Sequence, residues 1–149
     1  MIMKALKILF VVILVAIAHG CIRNDGNIGP IWGLWRVTNI EVDGKSIENY
    51  EGNLYFGFQA SVFMQKVVDE ATYSDSQASY ALWMYEGEDL KILFTEDRYK
   101  PVAISGFQHK VDDKPVENIV KVRKMKGNDM HLEYVNPDGV TYFYKLKRW

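Results

Sequence analysis

The sequence is short of cysteine, of proline and of charge of one sign, and each shortage excludes something. One cysteine in 149 residues, Cys21, rules out a disulfide within the chain and any thiolate metal cluster. Four prolines and eleven glycines in a chain that is 48% hydrophobic and 25% charged exclude a disordered or collagen-like polymer. Eighteen Lys and Arg against nineteen Asp and Glu give a formal charge of −1, so there is no electrostatic footprint for nucleic acid. Histidine is scarce too. Beyond the first twenty residues only His109 and His131 remain, far apart and without His-x-His or His-Glu-x-x-His spacing, which predicts no metal site. No Gly-x-Ser-x-Gly elbow and no glycine-rich phosphate loop is present. The acid pairs Asp69-Glu70, Glu96-Asp97 and Asp112-Asp113 fall in polar stretches that read as solvated loops. The sequence therefore predicts no catalytic residue, no cofactor and no enzyme.

What is present begins with a leader. Lys4 and Lys7 precede the apolar run Ile8–Ala18, which as a helix would rise only about 16 Å, against the ~20 residues a bilayer span requires. This pattern predicts a signal peptide over residues 1–20. The stretch Ile17-Ala18-His19-Gly20-Cys21 resembles the lipobox of bacterial lipoproteins. That resemblance implies cleavage before Cys21 and acylation of its thiol. Two or more acyl chains give stable anchoring, so the expected partner is the membrane, through lipid on Cys21. Ile22 stands where an inner-membrane retention aspartate would be, so the expected location is the bacterial envelope, at the outer membrane. Residues 21–32 read as the lipidated cysteine and a turn-rich tether.

From Gly33 to the end the text is β. Segments rich in aromatic and β-branched residues cover 33–43, 53–59, 61–68, 78–85, 90–94, 119–125, 130–135 and 140–149, with a shorter one at 102–107. Asp43-Gly44, Glu86-Gly87, Gly127-Asn128 and Asp138-Gly139 mark turns between them. Residues 69–77 read as a polar loop. Alternation groups Met130, Leu132 and Tyr134 on one face, and Tyr142, Tyr144 and Leu146 on another. The basic stretch Lys121–Lys126 reads as the wet face of a strand with Val120 and Val122 turned inward. The fold class is all-β: eight or nine antiparallel strands in an up-and-down meander, which closes into a barrel or folds as a sandwich and so removes or protects its edges.

Four stretches together resemble the lipocalin-like (calycin-type) domains of small bacterial lipoproteins: Gly33-x-Trp35-x-Val37, Tyr55–Val62, Tyr80-x-Leu82 with Leu90-x-Ile92, and Met130-x-Leu132 with Tyr142-x-Tyr144-x-Leu146-x-Arg148. The resemblance spans residues 33–149 and implies a lipocalin-like barrel domain. It also implies that Trp35 packs under the barrel with Arg148 across it, a structural closure of one end.

The aromatic excess leaves two functional readings open. Tyr80, Leu82 and Met84 on one face of a strand, with Phe56, Phe58, Tyr142 and Tyr144 elsewhere, are expected to line an internal pocket for a small hydrophobic or amphipathic ligand. Alternatively the interior is solid. An outer aromatic face around Trp83, Tyr85 and Phe143 then docks an envelope protein, a glycan or a second copy of the chain. A cavity lined by Tyr80, Met84, Tyr142 and Tyr144 would favour the first reading, and an exposed patch around Trp83 would favour the second.

Overall fold

The computed structural model describes residues 29–69, 71–72 and 74–149. The expected signal peptide, Cys21 and the first part of the expected tether lie outside these residues. Eleven strands follow in chain order: β1 (Gly33–Val42), β2 (Lys45–Ser46), β3 (Leu54–Gln59), β4 (Val62–Asp69), β5 (Ser74–Glu86), β6 (Asp89–Leu93), β7 (Lys110–Val111), β8 (Lys114–Pro115), β9 (Glu117–Lys126), β10 (Asp129–Val135) and β11 (Thr141–Arg148).

Eight of them form a closed antiparallel barrel, ordered β1, β3, β4, β5, β6, β9, β10, β11, with β11 returning to pair with β1. Every barrel neighbour is the next long strand in the chain, so the topology is the expected meander. β2 is a two-residue extension beside β1, and β7–β8 form a separate small hairpin. Closure is possible because each long strand carries large apolar residues on alternate positions, and the period-two face turns inward.

The last hairpin shows this plainly. Met130, Leu132 and Tyr134 of β10 are buried, as are Tyr144 and Leu146 of β11. Aromatic contacts carry the core across the barrel: Phe58 meets Trp83 edge-on at 5.3 Å, and Phe56 meets Phe63 at 5.3 Å and Tyr144 at 5.4 Å.

Two expectations are corrected. β5 begins at Ser74, inside the stretch read as loop, because its residues find a ladder on β4 through Val68↔Asp75 and Asp69↔Ser74. The segment 102–107 is not a strand. Ala103–Ser105 is a short 3-10 helix stopped by Gly106 in the left-handed region at φ 68°. A β-carbon there would fall inside the Tyr142 ring, so only glycine fits both the turn and the packing.

One barrel seam is incomplete. The β5–β6 ladder ends at Leu82↔Leu93, so among the described residues no strand pairs with Ser74–Ala81 on that side. The connection 94–109, which leaves β6 at this point, carries Tyr99 against Tyr80, ring centres 5.2 Å apart. Further on it turns inward, and Val102, Ser105 and Phe107 are buried.

Candidate functional site

The two ends of the barrel are built differently. At the end where β1 begins, Ile31 is buried and its carbonyl accepts a hydrogen bond from Trp35 Nε1 at 2.7 Å. Arg148 stacks over the Trp35 indole at 4.3 Å and donates to the carbonyls of Pro30 and Trp32. These contacts close that end of the barrel.

The other end is closed by the connection 94–109. Phe107 drops into the barrel among Phe56, Phe63, Tyr134 and Tyr144, with ring centres 5.1–5.9 Å away. The Tyr144 hydroxyl donates to the Ser105 carbonyl, and Ser105 Oγ donates to the Val102 carbonyl at 2.8 Å. Asn118 ties the connection to the wall: its Oδ1 accepts from Gln108 N–H at 2.9 Å and from Tyr134 O–H at 2.7 Å, while its Nδ2 donates to the Gln108 carbonyl at 2.9 Å. Burial pushes the Tyr134 and Tyr144 hydroxyls well above the ordinary phenol range. Both are neutral donors at physiological pH.

Beside this lid lies a cavity of about 440 Å³ that is open to solvent, lined by Ile47, Tyr50, Val67 and Gln77 on the barrel side and by Ala103 and Ile104 on the lid side. Tyr50 is fixed there. Its hydroxyl donates to the Val37 carbonyl at 2.8 Å and accepts from Leu54 N–H at 3.2 Å, and burial raises it to about 12. The volume falls in the range of small-molecule sites. Glu48, Asn49, Glu51 and Asn53 line it as well.

The expected pocket residues divide into two groups. Phe56, Phe58 and Tyr144 are fully buried within the core, and Tyr142 is half-buried against it. Tyr80, Leu82 and Met84 do not line the interior: they are 39%, 41% and 48% exposed on the outer face, while Trp83 between them is 1% exposed and inside. The strand is apolar on both faces, so its phase is set by register. Phe63, which is buried, pairs with Ala81, and Val62 pairs with Leu82. The outer patch expected around Trp83, Tyr85 and Phe143 is corrected likewise. On β4 and β5 the exposed large apolar side chains are Val62, Tyr80, Leu82, Met84 and Tyr85, and the first four share the outer face. A hollow of about 290 Å³ lies in that surface between Leu34, Gly57, Met64 and Tyr80.

Two interior residues went unnoticed in the sequence. Gln65 of β4 and Ser79 of β5 are direct register partners, 0% and 1% exposed. Gln65 Nε2 and Oε1 and Ser79 Oγ have no hydrogen-bond partner in the protein. The signal that could have found Gln65 is its place midway between Phe63 and Val67 at period two, opposite the charged Lys66.

Among the described residues, no group of three His, Cys, Asp or Glu side chains converges as a metal site. His131 lies on the outer wall against Phe143, and partial burial with Lys124 and Lys145 nearby lowers its pKa. His109 Nε2 is 3.8 Å from the Asp97 carboxylate, which Lys110 holds at 2.5 Å.

No family model matches the sequence, and no curated protein matches it. Two solved structures share its fold. A lipocalin-like protein from Bacteroides uniformis superposes with a TM-score of 0.59 at 14% identity, over 81% of this chain and 100% of that one. An uncharacterized protein from Bacteroides eggerthii superposes with a TM-score of 0.56 at 18% identity, over 80% of this chain and 99% of that one. The fold is a lipocalin-like barrel.

Proposed function

We propose that this protein is a membrane-anchored, non-catalytic binding protein that holds a small hydrophobic or amphipathic molecule at the lidded end of its lipocalin-like barrel. The observation that carries the reading is the cavity of about 440 Å³ between Tyr50, Val67 and Ile104. It lies where a barrel of this kind opens, while the opposite end is sealed by Trp35 and Arg148. Apolar walls supply affinity in such a site, and a few polar groups set orientation. The anchor in this reading is lipid on Cys21, which places the barrel in the bacterial envelope at the outer membrane.

Native mass spectrometry of the protein purified from its own membrane tests this function. A small molecule retained on the folded barrel and released on unfolding is the expected result. A ligand-free barrel would contradict it. The anchor has a separate test: Cys21→Ala should abolish acylation and release the protein from the membrane or leave it uncleaved, and unchanged membrane association would overturn the assignment.

A second reading is favoured by one observation, the exposed outer surface of Val62, Tyr80, Leu82 and Met84. A patch of this kind marks an interaction surface. In this reading the protein docks a partner in the envelope, or a second copy of itself, through the outside of β4 and β5. A stoichiometric protein in the same mass spectrum would support it.

A further inference from the structure

We propose that the barrel itself rests on a lipid bilayer, through the outer apolar wall of β4 and β5 at the sealed end. This rests on the reading of lipid on Cys21 as the anchor, and it adds which face of the barrel that anchor holds against the membrane.

Register lays this wall out in rows. Leu34, Gly57, Met64 and Tyr80 are successive cross-strand partners on the outer face. One row nearer the sealed end, Gln59, Val62, Leu82 and Leu93 are partners in the same way. Neither row holds a charged residue. Val62, Tyr80, Leu82 and Met84 are all exposed.

The next row towards the lid changes character: it runs Arg36, Tyr55, Lys66, Ala78. Trp149 lies over it, edge-on to Tyr55 at 5.3 Å and with the Arg36 guanidinium 6.0 Å from its ring, and is itself 70% exposed. Its backbone N–H donates to the Leu34 carbonyl at 2.9 Å, which sets it beside the apolar rows. Apolar side chains bordered by Trp, Tyr and cationic residues match a bilayer surface, where amphipathic rings sit at headgroup depth above the acyl chains.

Position favours lipid over a protein partner as the occupant. The described chain begins at Gly29, beside the Tyr85 hydroxyl, and Trp32 and Gly33 border the hollow in this same wall. Cys21 stands eight residues before Gly29, so lipid on it keeps Gly29 within about 28 Å of the bilayer, at roughly 3.5 Å per residue. A tether that short gives the wall a high effective concentration of lipid, and a contact too weak to hold a free protein then suffices. The groove beside Tyr50 and Ile104 belongs to the other end of the barrel and stays clear of this contact.

Apolar burial drives the contact, and charge does not. Lys66 is paired with Asp75 at 3.1 Å, and Lys91, the register partner of Met84, with Glu86 and Glu117 at 3.2 Å. The acidic turn Glu86–Asp89 follows directly after Met84 and Tyr85 and bounds the patch there. An uncharged lipid surface of the phosphatidylcholine class is therefore sufficient.

The test is spin-label accessibility in the full-length protein, purified from its own membrane into phosphatidylcholine nanodiscs. Cys21 is the sole cysteine and carries lipid in this reading, so a label goes only to an introduced thiol. Val62→Cys places it on the proposed wall. Val135→Cys, at an exposed valine of β10 opposite β4 in the eight-strand order, is the comparison. The expected result is that dissolved oxygen, which partitions into acyl chains, reaches the label at Val62→Cys several-fold more readily than a water-soluble nickel chelate does. Val135→Cys should show the reverse. Water-like accessibility at both sites in acylated protein would overturn the proposal and leave the anchor reading standing. Low accessibility to both reagents at Val62→Cys would overturn it too, since that marks burial against protein, a second copy or an envelope partner. The mass of the purified protein reports acylation separately, and a chain without lipid on Cys21 would overturn the anchor reading and this inference with it.

Discussion

The guanidinium of Arg148 lies 4.3 Å from the centre of the Trp35 indole, across a ladder in which the two are direct partners. The pair joins the first and last strands of the barrel. It anchors the residues before β1 as well, through the Trp32 and Pro30 carbonyls. Replacing Arg148 with Ala removes the stack and both charge-assisted hydrogen bonds, at an expected cost of about 2–3 kcal/mol in a denaturant titration. Lysine at this position should recover only part of the loss, because it lacks the planar fork. Trp35→Ala should cost more, on the order of 3–5 kcal/mol.

The phase of β5 is tested by neighbouring substitutions. Leu82→Ser and Met84→Ser change exposed side chains and should shift stability by no more than about 0.5 kcal/mol. Trp83→Ala, between them, opens a cavity beside Phe58 and should cost about 3–5 kcal/mol. Melting temperatures of the three variants separate the two faces of the strand.

How far the barrel was legible in the sequence depends on the strand. β10 alternates Met130, Leu132 and Tyr134 with His131, Glu133 and Val135, and its inner face reads directly from polarity. β11 closes the barrel with a similar rhythm. β5 does not read this way: Tyr80, Leu82 and Met84 are as apolar as Ala81, Trp83 and Tyr85. Only the pairing of Val62 with Leu82 and Phe63 with Ala81 decides which set faces the core.

The candidate site was less legible for a related reason. Gln65 and Ser79 are polar residues on inner faces, where polarity misleads. The lid was hidden because Val102, Ile104 and Phe107 have strand-like composition. Pro101 and Gly106, five residues apart, mark the segment as too short and too punctuated for a strand.

The lid should behave as a structural part of the cavity. Phe107→Ala removes a ring packed among Phe56, Phe63, Tyr134 and Tyr144, and is expected to destabilise the protein by about 3–5 kcal/mol. The apolar space it leaves should bind a small aromatic probe that the native protein excludes. Gly106→Ala should loosen the same segment through backbone strain and collision with Tyr142. Faster amide exchange over residues 102–109 would show it.

Stability should fall at both ends of the pH scale. Burial raises Tyr50 to about 12 and raises Tyr134 and Tyr144 as well. Each holds its proton more tightly folded than unfolded. Their contribution is therefore full below the ordinary tyrosine value of about 10 and is lost as pH rises through the folded values. On the acid side, hydrogen bonds from Lys110, Lys147 and Arg123 lower Asp97, Asp129 and Glu133. Their contribution is present above the ordinary carboxylate range near about 4 and is lost as pH falls below it. Burial lowers His131, which therefore takes up a proton more readily unfolded than folded, so denaturant midpoints should be flat from about pH 7 to 9 and begin to fall below the ordinary imidazole value of about 6.5. Tyr144→Phe should shallow the alkaline fall while costing roughly 1–3 kcal/mol at neutral pH, through the unpaired Ser105 carbonyl.

The central claim is that a small molecule sits between Tyr50, Val67 and Ile104, and a cavity-blocking variant tests it most directly. Ile104→Trp places an indole in the space of about 440 Å³ without touching the sealed end. Native mass spectra of native and Ile104→Trp protein, purified in parallel from their own membranes, should show a small molecule on the first and none on the second, with both proteins folded. The same bound molecule on both, or none on either, would contradict the claim.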